Sequence, residues 1–381
     1  MKKNRVFLCW TLNSGTSFYR MMNPARYMRN QLSLGFSKWK PDFQGVADWE
    51  YRIKDPQVGQ DLHVLISECD ITISQKFHSI GGLALMDCYR HQWPKKPWYT
   101  DIDDHVFAIN PSSPAAEQYF PGSEQEKILR EQITISTGII TSTEYLRKML
   151  ERINPNVWVV PNGIDFKTWD ALKEKITPTP RAPARKKIRI GWAGGGSHLD
   201  DLEFIEPVVT SIAKRLTNVE FVFLGGVPPC FKERKNIEAN SRWYPIDQYP
   251  QALKDLRLDI ALAPLKDNEF NRGKSNLRWL EYSALKIPTV ASSVEPFKCI
   301  KNGEDGVLVT EPGEWEDALV DLIEDEGKRK KVGLAAYDRV KKDFNVETIA
   351  KEYVEKVTLM IAGKGNISKE AAVAALAGGW G

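Results

Sequence analysis

Two stretches of this chain, on either side of a proline-rich break, alternate short apolar runs with segments of helical periodicity, and few folds accept that pattern twice. In the second stretch Ile188–Ala193, Val219–Leu224, Ile260–Ala263, Thr289–Ser292 and Gly306–Val309 read as strands. Leu202–Leu216, Tyr249–Leu256, Leu277–Leu285, Glu314–Asp325, Gly327–Phe344 and Val346–Ile361 read as helices. The first stretch is less regular. Arg5–Trp10, Leu62–Ile66, Asp70–Ser74, Trp98–Ile102, Gly138–Thr141 and Val157–Val160 have strand character; Tyr19–Leu32, Gly81–Arg90, Gln125–Gln132 and Glu144–Ile153 have helical character. Strand and helix taking turns predict an α/β fold with mainly parallel sheets covered on both faces. Residues 171–187, ending ITPTPRAPARKK, are rich in proline and charge, which suits an extended linker. The expected organisation is a first domain over 1–170, a linker over 171–187, a second domain over 188–345, a closing helix over 346–362 and a mobile tail over 363–381. A length of 381 residues fits two such domains.

Composition removes several classes. No apolar run reaches the ~18 residues of a membrane-spanning helix, and the apolar part of MKKNRVFLCW is too short for a secretory leader before Asn13 and Gly15 interrupt it. The five cysteines form no CxxC pair, and neither they nor the five histidines show metal-ligand spacing. A reducing, cytoplasmic setting fits best. The net charge of +3 says little, but its distribution says more: the first 41 residues carry eight Lys or Arg and no acid. Arg20, Arg26 and Arg29 fall in one expected helix. Such a face is either ordinary solvated surface or a basic lip for an anionic acceptor, a nucleic acid or a lipid surface.

The densest chemistry lies in DIALAPLKDNEFNRGKSNLRWLEYSALKIPTVASSVEPF. Asp259–Ala263 is a strand leaving the core, Pro264 opens a polar loop through Gly273, and Ser275 or Asn276 can cap the helix that follows. A helix start offers unpaired amides and a positive dipole end, which suit a diphosphate. Lys274 adds a full charge there. Glu281, nearly two turns further on, can accept hydrogen bonds from a vicinal diol, as acids do with ribose in other nucleotide folds. Alone, Glu281 reads as a helix-surface acid. With the strand, the lysine, the cap and Pro288 in place, the ligand reading is favoured. Gly194-Gly195-Gly196 lies between a strand and a helix capped by Ser197 or Asp200; it is either a tight turn or a close backbone approach to phosphate.

These residues resemble the donor-binding motif of family 4 glycosyltransferases, which have the GT-B fold of two facing Rossmann-like domains with parallel sheets and a cleft between them. The match rests on Asn271, Lys274, Ser275, Glu281, Tyr282, Ala284, Pro288 and Val290-Ala291-Ser292, in a Lys-Ser variant of the donor loop. VVPNGID (Val159–Asp165), IGWAGGGSHLDDL (Ile190–Leu202) and the DxDD stretch WYTDIDDHVF (Trp98–Phe107) are similar to further segments of one subgroup. One position departs from the pattern: many members carry a second glutamate where this chain has Gly273, and Glu269 is near but out of register.

The resemblance implies a transferase that moves a sugar from a nucleoside-diphosphate sugar, UDP-sugar favoured, to a hydroxyl, with retention and without a metal or prosthetic group. It implies a donor site of Gly15, Gly194, Gly195, Gly196, Ser197, Trp243, Tyr244, Asn271, Lys274, Ser275, Asn276 and Glu281. His198 is either in the cleft or on the surface, and the Trp243 region is either the nucleobase edge or core packing. Lys274 would stabilise the leaving diphosphate, and Asp103, Asp104 or His105 would orient a hydroxyl. Asp101 and Asp103 also form an Asp-x-Asp pair, a metal-binding signature of another glycosyltransferase fold. Arg20 and Arg26 are expected on the acceptor side. The acceptor is a glycan or, as a minority reading, a hydroxylated base in phage DNA in the host cytoplasm; peripheral membrane contact stays open. The rival readings are a catalytically silent sugar-nucleotide-binding module and an epimerase of the same fold.

Overall fold

The computed structural model describes residues 3–10, 14–36, 66–77, 79–109, 111, 116–173, 187–232 and 234–365. Asn13, most of the Leu62–Ile66 run, most of the expected linker and most of the tail lie outside the described residues. The chain divides into two compact units that do not follow sequence order. The first takes Met1–Asp103, Glu124–Pro161 and Glu347–Gly381; the second takes Asp104–Ser123 and Asn162–Val346. The units therefore part at Pro161, ahead of the expected linker. Phe166–Trp169 forms a short helix of the second unit, where Asp170 meets Lys341 at 2.8 Å and Phe166 stands edge-on to Tyr337.

The first unit holds a six-stranded sheet of β1 (Arg5–Cys9), β2 (Ser33–Phe36), β3 (Ile71–Gln75), β4 (Trp98–Ile102), β5 (Gly138–Thr141) and β6 (Val157–Val159). Its order is β2-β1-β3-β4-β5-β6, and every pairing is parallel. The interior β3, β4 and β5 are buried along their whole length, as interior parallel strands are, with Thr72, Ser74, Gln75, Thr100 and Asp101 buried among the apolar residues. One core cluster joins β1 and β3 to Met21, Met22 and Met28 and to Ile349, Tyr353, Val357 and Met360 of the closing helix Val346–Ile361.

The second unit holds β7 (Ile188–Gly194), β8 (Val219–Gly225), β9 (Ile237–Asn240), β10 (Ile260–Ala263), β11 (Thr289–Ser292) and β12 (Val307–Val309). The order is β12-β11-β10-β7-β8-β9, again all parallel. This is the doubly wound order whose direction reverses between β7 and β10, and ligands of such sheets bind beyond the strand carboxyl ends at that reversal. The single helix expected over Leu202–Leu216 is two, Leu199–Phe204 and Glu206–Arg215. They part at Ile205, and Pro207 stands in the first turn of the second, where its missing amide costs no helical bond. The Leu277–Ala284 helix ends with Lys286 at φ 60°, Ile287 N donating to Tyr282 O and Lys286 N to Ser283 O, the left-handed ending that satisfies the last carbonyls. The Tyr249–Asp255 helix ends similarly at Arg257, φ 51°.

No helix among the described residues is long and apolar enough to cross a membrane.

Candidate functional site

The reversal point of the second sheet brings together the turn after β7 and the loop after β10. Beyond Gly194 the chain makes a single 3-10 turn, Gly196–His198. A Cβ on Gly194 would stand 2.5 Å from both an Arg278 nitrogen and the Trp192 ring, so only glycine lets the strand end pass beneath those side chains. Gly225 at φ 96° has a similar need, with the Gly194 carbonyl 2.2 Å from where its Cβ would be. Gly195 meets only the edge of the Trp243 ring, at 3.9 Å. Trp243 is 71% exposed, a costly place for an indole without a partner, while Tyr244 lies under the Arg242 guanidinium.

Asp201 ties the two loops together. Its Oδ1 accepts from Asn271 Nδ2 at 2.7 Å and from the Lys266 amide at 2.9 Å, and its Oδ2 faces His198 Nδ1 at 3.0 Å. Asp200 points away and pairs with Lys266 Nζ at 2.6 Å. Neither Ser197 nor Asp200 caps the following helix: His198 occupies the cap position and makes no side-chain cap bond.

Asn276 likewise occupies the cap position of the Leu277–Ala284 helix without a side-chain cap bond. Its amide reaches Cys299 Sγ, and Ser275 Oγ accepts from Asn162. The expected cap position is thus occupied by Asn276, but its chemistry is corrected: the first amides of this helix are not satisfied by Ser275 or Asn276 side chains, as a helix start that receives an anion requires. Lys274 is 8% exposed, with Nζ 4.5 Å above the Phe270 ring.

Glu281 is buried, and Oε2 is 2.8 Å from Arg278 Nη1 and 3.2 Å from the Tyr249 hydroxyl. Arg278 also donates to Tyr249 at 2.9 Å. Burial first, then the Glu281 charge, push the Tyr249 phenol well above its ordinary value, so it stays protonated and donates to Glu281. Neighbouring Tyr282 receives the Ala193 amide through its hydroxyl, which fixes the helix against the end of β7. Sequence reasoning missed Arg278, Tyr249 and Asp201. The (i, i+3) spacing of Arg278 and Glu281 is a readable ion-pair signal; the other two carry none.

His198 is not a surface residue: its side chain is 12% exposed and its ring stands edge-on to Trp192. Desolvation lowers its pKa to about 4, with Lys274 and Arg278 pushing the same way against Asp201. The folded protein thus keeps a neutral imidazole, with Nδ1–H donated to Asp201. Because the folded pKa lies below the ordinary 6.5, the unfolded chain takes up a proton first as pH falls. Stability from this group is full above about pH 6.5 and declines toward pH 4, by about 3 kcal/mol in all. Urea unfolding at pH 7.5 and 4.5 should show this loss in the parent and a smaller one in His198→Phe; equal losses in both would disprove the assignment.

The remaining expected residues are spread more widely. His105 lies in the second unit, 3.3 Å from Glu269, so the glutamate out of register in sequence meets an expected catalytic histidine. Asp104 is partly exposed in the same unit, while Asp103 falls in the first unit, 4.0 Å from Lys76. Asp101, the penultimate residue of β4, does not face solvent. It is buried and paired with Arg20, Nη2 to Oδ2 at 2.7 Å and Nε to Oδ1 at 3.0 Å, and Arg20 also donates to the Val160 carbonyl. Burial disfavours the Arg20 charge, yet Asp101 outweighs it and raises the Arg20 pKa. The basic lip is therefore corrected: Arg20 is interior, Arg26 is half-buried near the Phe18 ring, and Arg29 alone of the three is exposed. Gly15 opens the first helix behind the Ser14 cap, with room around it.

Residues 204–355 match the family model described as glycosyl transferase-like. This segment, less than half of the chain, is what resembles a glycosyltransferase-like domain. It contains β8 to β12, Asn271, Lys274 and Glu281, and excludes the Gly194–Ser197 turn. No curated protein matches the sequence. Among solved structures, the fold is similar to Anabaena Alr3699/HepE in complex with UDP, with 13% identity, TM-score 0.61, and 93% of this chain and 99% of that one covered. A glycosyltransferase from Rickettsia africae gives 12%, 0.62, 95% and 99%. Sucrose-phosphate synthase from Thermosynechococcus elongatus gives 12%, 0.61, 95% and 100%. At these identities the likeness is one of fold, and it covers both units.

Proposed function

We propose that this protein transfers a sugar from a UDP-sugar to a hydroxyl of a glycan acceptor, with retention of configuration and without a metal. The observation that carries the reading is the meeting, at the reversal point of a doubly wound sheet, of the glycine turn, Lys274 and a buried Glu281 oriented by Arg278 and Tyr249. The diphosphate would lie on the Gly194–His198 turn and the start of the Leu277–Ala284 helix, beside Lys274. The ribose diol would share the Glu281 carboxylate with Arg278 and Tyr249, and the base would stack on Trp243. As the bond from the anomeric carbon to the diphosphate oxygen breaks, negative charge grows on that oxygen. The acceptor oxygen attacks the same face and loses its proton, for which Asp104 and His105 of the second unit are the candidates. HepE has been crystallised with UDP and with UDP-glucose, which supports the choice of donor. The burial of Arg20 takes one of three arginines out of the basic face that suited duplex DNA as acceptor.

UDP and UDP-glucose at a hundredfold excess over Kd should stabilise the protein by about 2.7 kcal/mol, read as a rise in melting temperature that GDP- and dTDP-sugars do not match. Glu281→Gln, which keeps size and removes charge, should weaken UDP binding at least tenfold. Equal binding by parent and variant would remove Glu281 from the site.

A further inference from the structure

Beside the Gly194–His198 turn, the side chains of Lys274 and Arg278 can only donate hydrogen bonds. His198 has the opposite polarity. Its Nδ1 faces Asp201 Oδ2 at 3.0 Å, and that carboxylate also accepts from Asn271 Nδ2 and the Lys266 amide. An acid held by three donors fixes the tautomer: the proton of a neutral imidazole sits on Nδ1, and Nε2 carries a bare lone pair. Desolvation, and then the Lys274 charge, keep the ring from taking a second proton. No described residue donates to Nε2. It lies across the ring from Asp201, and the side chain is 12% exposed, so a ligand can meet its edge. Trp192 stands edge-on to the ring, with centroids 5.8 Å apart, and steadies its plane.

A bare lone pair repels a phosphate oxygen, so the diphosphate is not what His198 serves; its partner is a hydroxyl. A sugar nucleotide carries hydroxyls on its ribose and on the sugar to be transferred. The ribose diol belongs to Glu281 in the reading above. Of the two nearby cations, Lys274 acts on His198 more strongly than Arg278, the partner of Glu281. His198 therefore stands on the Lys274 side, where the diphosphate would be joined to the sugar.

We propose that His198 selects the transferred sugar, its Nε2 accepting a hydrogen bond from one hexose hydroxyl. This rests on the UDP-sugar reading, and the test keeps the two apart. Parent, His198→Asn and His198→Gln are titrated calorimetrically with UDP and with the tighter-bound of UDP-glucose and UDP-galactose. The asparagine amide can still donate to Asp201 but leaves nothing at the Nε2 position, whereas the glutamine carbonyl extends to about that point. UDP affinity should be the same in all three. UDP-hexose affinity should fall roughly tenfold in His198→Asn, since the hydroxyl is left without its acceptor, and recover in His198→Gln. Among analogues with one hexose hydroxyl replaced by fluorine, which cannot donate, one should bind the parent about tenfold more weakly and be indifferent to His198→Asn. If the parent fails to bind UDP, the donor reading falls and this assignment with it. If UDP binds but His198→Asn leaves UDP-hexose affinity unchanged, the assignment alone is overturned. An equal loss for UDP and UDP-hexose overturns it too, because His198 would then only support the turn.

Discussion

Arg20→Met is expected to lower the unfolding free energy of the first unit by about 3–5 kcal/mol. The guanidinium is 1% exposed and the Asp101 carboxylate 0%, so removing the cation leaves an uncompensated charge between β4 and the helix of Arg20. That carboxylate must then stay ionised without a partner or take up a proton, and both routes weaken the fold. The double variant Arg20→Met/Asp101→Leu should recover most of the loss, because it removes the stranded charge along with its desolvation cost. Urea unfolding followed through hydrogen exchange of the first sheet distinguishes these. A single variant within 1 kcal/mol of the parent would show that the pair is not the fastening described.

Lys274→Ala is expected to lower kcat/KM for sugar transfer by roughly 10²–10³-fold. Its ammonium is largely withdrawn from solvent, close enough to His198 to help depress that imidazole. A cation in such a place acts with little screening on charge that appears as the diphosphate departs. Loss should fall mainly on kcat, with UDP affinity reduced less, because the charge on the leaving oxygen is greatest in the transition state. A variant within threefold of the parent would place the leaving group elsewhere.

What was legible follows from how local each signal is. The strands Gly138–Thr141, Ile260–Ala263 and Thr289–Ser292 stand where their mostly apolar runs put them, because buried parallel strands write largely hydrophobic sequence. The edge strands β2 and β9 were missed: Ser33–Phe36 contains a glycine, and Ile237–Asn240 is half solvated, so neither has such a run. Lys274 just ahead of a helix and Glu281 within it lie on one short segment and could be read together. The Arg20–Asp101 pair spans 81 residues and the Tyr249–Glu281 contact 32, and no periodicity reaches across such distances. Of the adjacent acids Asp200 and Asp201, only the fold decides which one turns inward.

The closing helix has a temporal consequence. On the ribosome, β1 to β6 emerge long before Ile349, Tyr353, Val357 and Met360, which complete their apolar layer. Until translation nears its end, the nascent first unit carries an oily flank with no lid, the situation in which chaperones are recruited. A stop codon just after Asn345 would therefore release a polypeptide whose earliest-made portion, not its last, is the one left unfinished.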